Sequence, residues 1–90
     1  MAEIKGVTKS GFAYTLKESV KDDMELVDAL AEIDAGNGLA MSTVCLKLLG
    51  KEQRKKLYDH VRAEDGTVPI EAVGEEIQDI FAKMGTEGKN

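Results

Sequence analysis

The spacing of apolar residues changes once along this chain, near Asp22, and that change limits the fold more than any other feature. Before it the residues alternate: "EIKGVTKSGFAYTL", residues 3–16, sets Phe12, Tyr14 and Leu16 on one side, preceded by Ile4 and Val7, with "KSG" between the two runs as turn chemistry. Two strands joined by a tight turn are the result. After Asp22 the period is helical. A lone hairpin is marginal in water, so its aromatic face must lie on the helices or on strands of another subunit. The sequence therefore predicts an α+β fold, mainly α. A β-hairpin over about residues 2–17 is followed by four helices, over about 23–35, 39–49, 51–63 and 69–84. All lie in one domain, 1–84, followed by a flexible polar tail, 85–90.

Each helix has its own pattern. "DDME" offers Asp22 as a cap with Glu25 three positions on, a capping-box arrangement, and the stripe that follows is Leu26, Val27, Leu30 and Ile33. "GNG", residues 36–38, stops it. The segment 39–49 is apolar on nearly every side except Ser42, Thr43 and Lys47, the pattern of a central helix. Gly50 ends it. The third segment offers only Leu57, His60 and Val61 with Tyr58 at the border, and belongs on the surface. The fourth has the cleanest stripe, Ile70, Val73, Ile77, Ile80, Phe81 and Met84, with Glu71, Glu75, Glu76 and Asp79 opposite, on the solvent side. Stripes of this kind read as internal core, and Leu30, Val44, Leu48 and Ile77 are assigned to it.

Ninety residues allow one small core, a size at which self-association is a common supplement. A net charge of −5 repels phosphate, which argues against nucleic acid and anionic membrane surfaces and for protein partners. The basic run "KEQRKK", residues 51–56, spreads around a solvated helix face, with Asp59 four residues after Lys55. One cysteine excludes an internal disulfide framework, and Cys45, inside "LAMSTVCLKLL", reads as a small buried hydrophobe in a reducing cytoplasm. No stretch approaches the roughly eighteen apolar residues of a membrane span, and the N-terminus lacks a signal pattern.

"EDGTVPIEAVGEEI", residues 64–77, has the look of half an EF-hand. With Gly66 at loop position 6, however, Val61, Ala63 and Ala72 fall at positions 1, 3 and 12, where oxygen ligands are required. Calcium is expected to leave the protein unchanged, and the stretch reads as punctuation, Asp65-Gly66 ending one helix and Pro69 starting the next. A Cys–His dyad would need Cys45 and His60 from different helices plus an orienting group, and two such residues are too few for zinc. No phosphate loop is present, since "GNG" follows no strand. The sequence predicts no catalytic, cofactor or metal residues and no enzymatic activity.

Taken together, the "TKSGFAY" hairpin, "ELVDALAEID", "LLGKEQ" with "LYDH", and "DGTVPIEAV" give the chain an order that resembles the tail assembly chaperones of long-tailed phages and prophages, over about residues 5–84. The resemblance implies a small helical protein of the host bacterial cytoplasm, absent from the mature virion, that binds the tape-measure protein while the major tail-tube protein, a second partner, assembles around it. It implies too that the chain is the shorter of two products separated by a ribosomal frameshift; two readings of Glu87-Gly88-Lys89 stay open, a slippery run G-GGA-AAA in the coding DNA and an ordinary flexible terminus. Which surface meets the partner stays open. Two other classes fit an acidic small protein: a nucleic-acid mimic, which needs carboxylates spaced like phosphates along one face, and an EF-hand-like calcium-binding regulator.

Overall fold

Alternation at the N-terminus produces the hairpin. β1 (Glu3–Val7) and β2 (Ala13–Lys17) pair antiparallel with Lys5 opposite Thr15 and Gly6 opposite Tyr14. The computed structural model describes residues 3–88, the side chains of 85–88 excepted. The turn is "KSG" as expected: Thr8 C=O accepts from Gly11 N–H at 2.9 Å, Thr8 N–H donates to Phe12 C=O at 2.9 Å, and Gly11 supplies the positive φ, +98°, that this three-residue loop requires. Phe12, Tyr14 and Leu16 all point into the core, while Val7 is half exposed.

Gly6 has a specific job. The Tyr14 ring lies across it, so close that a Cβ on residue 6 would sit 2.6 Å from Tyr14 Cζ. Tyr14 is itself buried and cannot swing out to make room. Gly6→Ala is expected to lower stability by about 1 kcal/mol or more, as overpacked sites do, and a thermal melt at or above the wild-type midpoint would refute this.

After a 3-10 turn at Glu18–Asp22 that buries Val20, α1 runs over Met24–Asp34. Its cap is Asp23, not the expected Asp22: Asp23 Oδ1 accepts from Glu25 N–H at 2.9 Å. The capping box is not formed as expected, because the Glu25 carboxylate is bonded to Lys47 of the next helix. α1 buries Leu26 and Ala29, with Leu30 and Ile33 partly covered; Val27, expected in the stripe, is half exposed. A short 3-10 turn, Gly38–Ala40, leads into α2, and Leu39 on it is almost fully exposed rather than part of a central helix.

Among the described residues there are three α-helices rather than four. The expected second and third run together as α2 (Met41–Val61), and Gly50, at φ 83° and ψ 168°, is the single non-helical residue inside it. A glycine there reads as a terminator, but no linker follows it, so the change of direction falls on one residue. The bend is sharp. Arg54 Nη1 donates to Ser42 Oγ at 3.0 Å although the two residues are 12 apart, a separation of about 18 Å along a straight helix.

The inner side of α2 is covered completely at Val44, Cys45 and Leu57, and the helix packs against α1, β2 and α3. Residues 62–69 form a turn, with Gly66 at φ 92° in its middle rather than at a helix cap, and Pro69 C=O accepting Val73 N–H at 3.2 Å as the next helix begins. α3 spans Ile70–Gly88 and buries Val73, Ile77 and Ile80. Its backbone continues past Met84, where the sequence reading ends the helix; residues 89 and 90, the rest of the expected tail, lie outside the described residues. Ile70, the first member of the expected stripe, is mostly exposed.

Candidate functional site

Three elements converge on a polar cluster beneath the hairpin turn. Thr8 Oγ1 donates to Glu76 Oε1 at 2.7 Å and Ser10 Oγ donates to Glu76 Oε2 at 2.7 Å, so one carboxylate of α3 holds both hydroxyls of the loop. Thr8 Oγ1 in turn accepts Phe12 N–H at 3.1 Å, and Lys9 N–H donates to Asp79 Oδ2 at 2.7 Å, one turn further along α3. His60 Nε2 lies 2.9 Å from Ser10 Oγ, and its ring rests against Phe12 with centroids 5.6 Å apart. Glu76 is buried at 8% exposure and Thr8 at 4%. The sequence reading set Glu76 on the solvent side; the correction follows from the hairpin, whose turn lies over that side of α3 and brings hydroxyl donors with it.

Serine, histidine and glutamate in contact invite a hydrolase comparison, which the connectivity does not support. In a nucleophilic triad the imidazole stands between serine and acid and takes the serine proton. Here Ser10 stands between His60 and Glu76. Its one proton goes to Glu76, so Nε2 of His60 must carry hydrogen and donate to Ser10, the opposite of a base. The cluster does mechanical work, joining residues 66 to 70 positions apart in the chain. His60, placed by its spacing in the narrow stripe of the third segment, is exposed but bonded in this way.

Cys45 lies far from such exposure. It is fully buried, and burial pushes its thiol up to about 11. The native protein is expected to resist thiol reagents at mildly alkaline pH until it unfolds, because thiolate is the reactive form. A stoichiometric fast reaction without denaturant would contradict this.

The acidic turn 62–69 satisfies itself. Asp65 Oδ1 accepts Thr67 N–H at 3.0 Å and Thr67 Oγ1 at 2.7 Å, and Arg62 Nη1 donates to Gly66 C=O at 2.8 Å. The backbone N–H of Thr67, then its hydroxyl, hold Asp65 below the usual carboxylate range, and the Arg62 hydrogen bond does the same for Asp59. Both lowered values contribute stability that is present above the unfolded carboxylate pKa and is lost as pH falls through the lower folded one. Among the described residues no group of three or more His, Cys, Asp or Glu is arranged to hold a metal ion, and no helix is long and apolar enough to cross a membrane.

Gln53 is the residue that sequence reasoning missed altogether. Within "KEQRKK" it reads as one more solvated side chain, yet its amide completes the outer edge of β2: Oε1 accepts Thr15 N–H at 2.7 Å and Nε2 donates to Thr15 C=O at 2.6 Å. Nε2 also donates to Leu49 C=O at 2.8 Å, a carbonyl beside the Gly50 bend. One side chain thus pins the bend to the sheet. Its unbranched uncharged amide, alone among five charged neighbours, was the only available signal.

An apolar concavity lies elsewhere, between α1 and the C-terminal half of α3. Val20, Leu26, Val27, Leu30, Phe81 and Met84 surround an open groove of about 310 Å³, with Lys21 at its rim. Leu26 forms its floor and half-exposed Val27 its edge. The chain matches no protein-family model, no curated protein and no solved structure.

Proposed function

We propose that this chain is a phage tail assembly chaperone that binds the tape-measure protein in the host cytoplasm and does not join the virion. Two things support the reading: the resemblance at "ELVDALAEID", "LLGKEQ" and "DGTVPIEAV", and the open groove of α1 and α3. The groove is the observation that carries it. Apolar side chains at helical spacing on both walls suit an amphipathic helix laid between them, and a long helical tape measure would present many.

The test is co-expression. The tape-measure protein is expected to stay soluble with this chain in excess and to precipitate with a Val27→Asp variant, whose new charge sits on the groove edge where the residue is already half exposed and so leaves folding intact. A tape measure that stays insoluble with the wild-type chain would end the proposal. Under the nucleic-acid-mimic reading, carboxylates rather than Val27 would govern binding.

A further inference from the structure

The hairpin has one edge capped at its centre and one open edge. In an antiparallel pair the N–H and C=O of a residue point the same way, alternately toward the partner strand and away from it. Gln53 takes both groups of Thr15, so Thr15 points away from β1. Its opposite number Lys5 must then point away from β2, and with it Glu3 and Val7. Among the described residues no hydrogen bond reaches those outward groups of β1. All three side chains are exposed.

We propose that β1 pairs with β1 of a second copy of this chain, antiparallel about a two-fold axis at Ile4, joining two hairpins into one four-stranded sheet. Charge selects the occupant and the register. With Ile4 facing Ile4 of the second copy, Glu3 lies directly opposite Lys5 of the second copy, and the reverse. Both are outward residues, so each pair exchanges two backbone hydrogen bonds while its side chains attract. On the same face Glu3 also lies beside Lys17 of its own hairpin, which continues the alternation of sign across the sheet. The two Ile4 side chains, partly buried against the core, meet at the close spacing of a non-hydrogen-bonded pair, about 4.5 Å between Cα atoms. A shift by one pair would oppose Lys5 to itself, so the lysine that ordinarily guards an edge here fixes which pairing is allowed. The inference goes beyond tape-measure binding, and its test uses the purified chain alone, so its failure leaves that reading untouched.

Sedimentation velocity across a concentration series measures the association. Wild type is expected to shift from monomer to dimer. Lys5→Glu and Glu3→Lys each set like charges opposite one another at both symmetric positions and are expected to weaken the dimer about tenfold or more. An equimolar mixture of the two variants restores opposite charges in both pairs and is expected to dimerise at least as well as wild type, as is the doubly exchanged chain. Lys5→Pro removes an outward N–H that the monomer does not use and is expected to abolish the dimer while leaving the helical circular dichroism intact. A monomer at every concentration would overturn the proposal. So would a dimer indifferent to the charge exchanges, which would place the second copy on another surface; these exchanges decide the matter alone if the proline variant does not fold.

Discussion

Replacement of Glu76 by alanine is expected to cost about 3 kcal/mol of stability, out of the roughly 5 to 15 kcal/mol that holds a domain together. Its carboxylate accepts from Thr8 and Ser10, each at 2.7 Å. Bonds to a charged acceptor contribute more than neutral ones, and truncation leaves the Thr8 and Ser10 hydroxyls, 3.2 Å apart, with one acceptor fewer each. Glu76→Gln, which keeps an oxygen in place, is expected to lose about half as much on the same scale. A more telling comparison is the pair Thr8→Val with Glu76→Leu: it removes hydroxyl and carboxylate together but strands the buried Phe12 N–H that Thr8 Oγ1 accepts, so the double variant exchanges one deprived donor for another and is expected to lie near Glu76→Ala. Denaturant titration of the four proteins checks the order. Equal stability of Glu76→Ala and wild type would mean that the latch contributes nothing.

The latch also shows where sequence reasoning stops. Hairpin, turn and the α3 stripe were legible because each depends on spacing along the chain: Phe12, Tyr14 and Leu16 alternate, and Val73, Ile77 and Ile80 recur at helical intervals. Glu76 lies one residue before Ile77 on an acidic face, and only the arrival of Thr8 and Ser10 from the far end of the chain makes burial tolerable there. Gln53 is similar, since its partner Thr15 lies 38 residues away. Val27 and Leu39 fail in the other direction. Both are apolar at plausible stripe positions, but α1 packs through Leu26 and Ala29, and the chain before α2 coils as a 3-10 turn that faces Leu39 outward. Val27 is thereby left at the edge of the apolar groove, beside the buried Leu26.

Gly50→Ala separates the local view from the tertiary one by sign. Judged by helix propensity, alanine for glycine inside a 21-residue helix should stabilise by about 1 kcal/mol. The space around the residue raises no objection, for a Cβ at Gly50 meets nothing within 4 Å. The backbone does. At φ 83° and ψ 168° the residue occupies a region open essentially to glycine alone, and holding a side chain there costs about 1 to 3 kcal/mol. Relief by straightening is blocked, because the bend is what brings Arg54 to Ser42 and Gln53 to both Leu49 and Thr15. A straight α2 would give up those bonds and withdraw Leu57, fully buried beyond the bend, from the shared core. Gly50→Ala is therefore expected to destabilise by up to about 3 kcal/mol with helical content near wild type, and to expose the outer edge of β2 as the Gln53 amide is displaced. Hydrogen exchange at the Thr15 amide reads that second effect directly: protection lost there along with a lower melting temperature is the expected pair of results, whereas a higher melting temperature would mean that α2 gains by becoming a regular helix and that the corner at Gly50 is not needed by the fold.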